Sequence, residues 1–226
     1  MTYVINSMPS PVDAALIDKG RRAETATIGH RRHLGFVDRA IQCVLSTPPT
    51  VAGTAVTLAI PGQDSTLVHH VIQFLRPGDV LCIDRLGDNT YACVGGGVAA
   101  AIKATGCVGV VIDGPCTDLP ELEQYELPVW SRGVAPVTTR LYGVGGSFNV
   151  PVSIGGAVVQ PGDLVIGDFS GVLVMPPDEA EADIDWALSK QAAEPDLHRR
   201  LLAGEKLGDA SGATAKVEKA TAPPKA

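Results

Sequence analysis

The sequence predicts an α/β fold with mixed sheets, a βαβ unit and N- and C-terminal helices, on three observations. Strand, glycine loop, helix and strand follow one another between residues 80 and 112, an order that favours parallel pairing through a helical crossover. Residues 51–60, dense in Val, Thr and Ile, and 108–112, a continuous apolar run, suit strands. Residues 128–166 break into short β-prone pieces separated by Gly-rich turns.

Taken in order, Pro9-Ser10-Pro11 precede an apolar helical stretch from Val12 to Ile17 that Gly20 stops, and a second helix is expected from about Thr27 to before Pro48. The run 51–60, bounded by Pro49 and Pro61, is a strand. Asp64 and Ser65 can cap a helix whose apolar face is Leu67, Val68, Val71, Ile72 and Leu75, with Pro77-Gly78 ending it. Residues 80–83 form a short strand, 98–104 an Ala-rich helix opened by three glycines, and 108–112 a strand. A short helix over 121–125 leads to strands at 128–130, 150–154, 157–159 and 164–166, then to a helix over 177–202. Residues 1–208 are expected to be a single domain and 209–226, almost without bulky apolar residues, a disordered tail. Pro77-Gly78-Asp79 with Asp84 recurs as Pro161-Gly162-Asp163 with Asp168, which predicts one tight-turn device used twice.

The 226 residues carry 18 Lys and Arg against 25 Asp and Glu, a formal net charge of −7, and 45% are hydrophobic. At this length about 70% of the unfolded surface can be buried, so neither a disulfide nor a metal is required for folding. The acidic balance argues against binding to nucleic acid, which needs a basic face, and against an anionic membrane surface. Five Cys without a C-x-x-C pair predict reduced, mostly buried thiols. The start of the chain lacks a basic segment leading into an apolar one, and the uncharged stretch 141–162 is rich in Gly. Neither secretion nor a membrane span is therefore expected, and the location expected is cytoplasmic.

Two places could hold chemistry. Gly95, Gly96 and Gly97 open a helix whose free amides and positive dipole end suit a carboxylate or phosphate, although such turns also serve packing alone. The strand 108–112 runs into Asp113-Gly114-Pro115-Cys116-Thr117-Asp118, at the strand end where α/β folds place ligands. Asp118 there could be a Mg²⁺ ligand or could cap the helix that follows.

The runs PGDVLCID, ACVGGGVAAAIKATGCVGVVIDGPCTDLPEL, LPVWSRGVAP and NVPVSIGGAVVQPGDLVIGDFSGVLVMPPDEAEA resemble the RraA-like family over roughly residues 25–204. That family includes the 4-hydroxy-4-methyl-2-oxoglutarate / 4-carboxy-4-hydroxy-2-oxoadipate aldolases, which also decarboxylate oxaloacetate, and the regulator of ribonuclease E activity. The resemblance implies a swivelling β/β/α RraA-like fold, assembled as a homotrimer or homohexamer. It implies a D-G-x-x-R-D motif in which Arg holds substrate oxygens and the last Asp binds Mg²⁺ or Mn²⁺. Asp113, Gly114 and Asp118 match, but Thr117 stands at the Arg position. The family's G-E-L-L loop, whose amides receive a pyruvate carboxylate, corresponds to Gly95, Gly96, Gly97 and Val98, so the acidic side chain is absent at Gly96. Glu194 is the best match to a C-terminal Glu that reaches a neighbouring subunit's metal site. His30 falls where much of the family has an Asp, and could move a proton or belong to a solvated basic helix start with Arg31 and Arg32.

A Thr hydroxyl offers one neutral donor in place of a cationic fork, and charge-assisted hydrogen bonds are about twice as strong as neutral ones. Arg85, leaving the neighbouring strand on the same edge as Asp118, is expected to substitute through space, ahead of Arg140. His69 and His70 could be a second functional pair, although adjacent helix residues point about 100° apart and cannot easily share one metal. The resemblance implies a divalent-metal-dependent carbon–carbon lyase, aldolase or decarboxylase, acting on a small carboxylate substrate, a 2-oxo acid. The substrate is expected to be altered because of Thr117. The alternatives are a non-catalytic regulator that binds a protein partner, and a metal-dependent hydrolase or isomerase on a related acid.

Overall fold

The computed structural model describes residues 2–221. The chain forms a first unit ending at Ala187 and a second beginning at Leu188, where the sequence placed its only boundary after residue 208. The first unit opens with β1 (Tyr3–Ile5), α1 (Ala14–Gly20), α2 (Thr25–Gly29), β2 (Gln42–Cys43) and β3 (Val51–Ala59). Next come α3 (Thr66–Val71), tightening into a 3₁₀ turn at Ile72–Phe74, β4 (Asp79–Asp84), α4 (Gly96–Ala104), β5 (Gly109–Ile112), α5 (Leu119–Gln124) and β6 (Val129–Ser131). Then β7 (Gly146–Phe148), β8 (Val152–Ile154), β9 (Ala157–Val159), β10 (Leu164–Gly167) and β11 (Val172–Met175) lead to α6 (Pro177–Leu202).

The nine-residue β3 is the centre of the main sheet. One edge pairs parallel with β4, from Thr54 opposite Asp79 to Ala59 opposite Asp84. The other edge takes β10 antiparallel through 51–54 and β7 at 58–59. β4, β5 and β6 continue in parallel, so the βαβ unit occurs three times, as β3–α3–β4, β4–α4–β5 and β5–α5–β6. β2 closes one end of the sheet and β1 the other, while β8 and β9 form a separate hairpin.

Both faces of the sheet are covered, which explains the unbroken apolar runs. Along β3, Val56 and Leu58 face one core while Val51, Ala55 and Ala59 face another; along β4, Leu81 and Ile83 oppose Val80 and Cys82 in the same way. Successive strand residues point to opposite faces, so two layers draw on one strand. The first core takes Leu67, Val68 and Val71 of α3, Ala99 and Ile102 of α4 and Leu122 of α5. The second takes Trp130, Val165, Val172 and the β8–β9 hairpin. This is the β/β/α layering expected.

The repeated Pro-Gly-Asp is structural. Asp79 Oδ2 accepts from the Arg76 amide and Asp163 Oδ2 from the Gln160 amide, both at 2.8 Å. Gly78 and Gly162 have φ of +87° and +95°, which glycine adopts without steric cost. The two turns feed β4 and β10, which flank β3 on its two edges.

Several expectations need correction. The second N-terminal helix is only α2; beyond it the amide of Val37 donates to Val172 and the amide of Val174 to Gly35, so this stretch gives its backbone bonds to β11. β1, β2, β7 and β11 went unread, three of them because strands of two or three residues carry too little pattern. In the second unit, α7 (Leu207–Ala210) and α8 (Ala213–Thr221) are helical where a disordered tail was expected. They bury no residue, and Ala, Lys and Glu supply the helix propensity. Residues 222–226 of the expected tail lie outside the described residues. None of the described helices is long and apolar enough to cross a membrane.

Candidate functional site

Beyond β4 and β5 the chain builds a cleft of about 250 Å³ from four pieces. The strand end after β5 supplies Thr117 and Asp118, the loop into α4 supplies Gly95, Gly97 and Val98, the start of α3 supplies Ser65 and His69, and an extended segment supplies Thr138 and Thr139. Backbone bonds lock the pieces together. The Thr117 amide donates to the Val94 carbonyl at 3.0 Å, the Thr139 amide to Ala92 at 3.1 Å, and the Ser65 amide to Arg140 at 2.9 Å.

Asp118 has φ of +57°, a left-handed conformation that Asp tolerates better than most residues. Its Oδ2 accepts from the Gly96 amide at 2.8 Å, and its Oδ1 accepts from the Thr117 hydroxyl at 3.2 Å. Asp118 precedes α5 but makes no side-chain cap there; its carboxylate caps α4 instead. Gly95 makes that approach possible, because a Cβ on it would lie 2.5 Å from Asp118 Oδ2 and 2.7 Å from Thr117 Cγ2. The amides of Gly97 and Val98, in the first turn of α4, have no acceptor within the helix. They offer an anion the positive end of the helix dipole.

Five of the expected site residues meet in the cleft: Gly95, Gly97, Val98, Thr117 and Asp118. Gly96 joins them through its amide. His30 does not: it is the exposed C-cap of α2, beside Arg31 and Arg32, which pair with Asp183. Arg85 does not either. Its guanidinium is fully buried, with Nη2 donating to Asp88, to the Tyr91 carbonyl and to the Gly62 carbonyl. A strand-end position put Arg85 on the right edge, but Asp88 three residues on draws the side chain inward. Arg140 is the cation attached to the cleft wall, donating through Nη1 to Thr138 Oγ1 at 2.8 Å and to the carbonyls of Thr138 and Thr139. Glu194 belongs to the second unit and is half-buried there.

Sequence reasoning left His69 open as half of a possible functional pair with His70, and missed Glu121. His69 lines the cleft. Glu121, in the first turn of α5, lies over Gly96, its Cγ 3.0 Å from where a Gly96 Cβ would sit. The absent side chain at Gly96 was the signal for it: a glycine beside an acidic helix start leaves room for that acid. Cys93 also lines the cleft, but burial pushes its thiol up to about 11, which keeps it protonated and unreactive.

No group of three or more His, Cys, Asp or Glu side chains among the described residues could hold a metal by itself. Mg²⁺ does not require one, since it takes one or two carboxylates and keeps several waters. Each Asp118 oxygen accepts one hydrogen bond and retains a free lone pair. The donor set is therefore one that a hydrated Mg²⁺ or Mn²⁺ would accept, with Asp118 as the protein ligand.

The RraA-like family model, described as Aldolase/RraA, matches residues 13–174. A protein of Halalkalibacterium halodurans, provisionally named a 4-hydroxy-4-methyl-2-oxoglutarate aldolase, is 34% identical over 67% of this chain and 71% of its own length. Among solved structures, Streptomyces coelicolor RraAS2, described as an unusual member of the RNase ES inhibitor RraA family, is 27% identical with a TM-score of 0.72, covering 85% of this chain and 98% of that one. The RNA-processing inhibitor RraA from Thermus thermophilis is 27% identical with a TM-score of 0.57, over 62% of this chain and 84% of its own.

Proposed function

The chain belongs to the RraA-like family, and from that premise we propose that it is a divalent-metal-dependent carbon–carbon lyase, aldolase or decarboxylase, acting on a small 2-oxo carboxylic acid. The observation that carries the reading is the Asp118 carboxylate, held by the Gly96 amide at the mouth of α4 beside the free amides of Gly97 and Val98. An anionic ligand for a hard cation and a nest of amides for a substrate carboxylate thus stand side by side.

In this reading the Gly97 and Val98 amides bind the substrate carboxylate. Asp118, with Glu121 close by, holds Mg²⁺ or Mn²⁺, and the ion supplies Lewis-acid polarisation of the 2-oxo group. The Thr117 hydroxyl gives one neutral hydrogen bond, and Ser65, Thr138 and Thr139 offer further hydroxyls along the walls. A cleft lined by hydroxyls favours a substrate whose far end is hydroxylated over one with a second carboxylate. The proposal extends to a cytoplasmic homotrimer or homohexamer, with Glu194 offered to a neighbouring copy.

A second reading, a regulator that binds a protein partner, is favoured by one feature: among the described residues lining the cleft none is Arg or Lys. The test is pyruvate release from oxaloacetate and 4-hydroxy-2-oxo acids by wild type and Thr117→Arg, each with Mg²⁺. Release by either protein supports a lyase scaffold. Silence in both, with no Mn²⁺ binding, supports the regulator.

A further inference from the structure

We propose that His69 is the proton carrier of the cleft. The inference rests on the lyase reading above and assigns the acid–base step within it.

The structure separates the two adjacent histidines of α3. The His69 amide donates to the Ser65 carbonyl at 3.1 Å, so His69 stands one helical turn beyond Ser65, and both line the cleft with Thr117 and Asp118. His70 turns to a different, apolar hollow with Tyr3, Ile5 and Leu67. Its ring stands edge-on to Phe74 at 5.5 Å, and its Nδ1 lies 3.3 Å from Gln73 Nε2. The His69 ring has no hydrogen-bond partner among the described residues. Both its nitrogens are therefore open to a ligand.

Of the other ionisable side chains at the cleft, Asp118 and Glu121 are given to the metal in that reading. Asp118 accepts from an amide and a hydroxyl through its two oxygens, the Cys93 thiol is buried, and Arg140 at the wall is bonded to Thr138 and Thr139. Imidazole is the side chain that both accepts and donates a proton near neutral pH. In cleavage of a 4-hydroxy-2-oxo acid, His69 takes the proton of the C4 hydroxyl while the C4 carbonyl forms and the C3–C4 bond breaks. The bond pair passes to C3 and spreads onto the C2 oxygen. The imidazolium then returns a proton to C3, giving the methyl group of pyruvate with no net change of oxidation state.

The return step runs backwards with pyruvate alone, as exchange of its methyl protons with solvent. The full chain with Mg²⁺ and pyruvate in D₂O is followed by proton NMR for wild type, His69→Gln and His70→Gln, with and without imidazole. His69 is exposed, so the substitution spares the fold. The expected result is exchange slowed about 100-fold in His69→Gln, partly restored by imidazole, and unchanged in His70→Gln. Wild-type exchange rates in His69→Gln would overturn the assignment and leave the lyase reading standing. Slowing that imidazole does not restore would make His69 a binding group and overturn it equally. No exchange and no turnover in wild type would overturn both readings.

Discussion

The Gly96 amide donates to Asp118 Oδ2 across 22 residues of sequence, at 2.8 Å. One carboxylate thereby joins the end of β5 to the start of α4, and the approach depends on the residue before the helix having no side chain.

Gly95→Ala should therefore damage the site more than the fold. Its Cβ would meet Asp118 Oδ2 at 2.5 Å and Thr117 Cγ2 at 2.7 Å, so the strand end must shift. Mn²⁺ binding, followed by electron paramagnetic resonance, should weaken at least about tenfold, equivalent to about 1.4 kcal/mol, while the circular dichroism spectrum stays that of wild type.

Arg85→Met should destabilise the fold rather than alter the site. The guanidinium is fully buried and paired with Asp88, while its Nε and Nη1 have no acceptor among the described residues. Removing the cation takes the ion-pair partner from Asp88, which keeps only the Tyr91 amide, and leaves two carbonyls without their donor, a loss of about 3–5 kcal/mol. Urea unfolding measures this; a stable variant with altered Mn²⁺ affinity would instead return Arg85 to the site.

Asp64 fastens the wall segment to α3. Its carboxylate accepts from the Thr66 hydroxyl and amide and from the Tyr142 and Val144 amides, which outweigh burial and lower it to about 2. A depressed carboxylate stabilises the fold above its unfolded value of 3.8 and loses that contribution as pH falls through the folded value. Urea unfolding between pH 5 and pH 2 should show a loss of about 2 kcal/mol that Asp64→Asn lacks.

Asp163 has the opposite sign. Burial, with Asp178 and Glu179 nearby, raises it, and Gln160 stands where its twin Asp79 has Arg76. Such a group disfavours the fold when ionised; its favourable contribution is present below 3.8 and is lost as pH rises through the folded value. Asp163→Asn keeps an acceptor for the Gln160 amide and should be more stable than wild type at pH 7. The difference should close as pH falls below about 4.

Much of this architecture was legible because its signals are local or periodic. The run 51–60 announced a strand, the three glycines announced α4, and the Pro-Gly-Asp pairs announced their turns. The rest depended on distant partners. Residues 33–41 carry helix-compatible side chains, yet Gly35 and Val37 pair with β11. His30 and His69 are alike in sequence, and only the packing of α3 against the strand ends distinguishes them. Arg85 sits at the right strand edge, but Asp88 turns it inward, a competition that strand position alone does not reveal.

The most direct test of the central claim is pyruvate release by wild type and Asp118→Asn across a panel of 4-hydroxy-2-oxo acids and oxaloacetate, with Mg²⁺ and with EDTA. The account predicts release that needs both the ion and Asp118, and that is faster for substrates with a hydroxylated far end than for dicarboxylates. Release that persists in EDTA or in Asp118→Asn would contradict it.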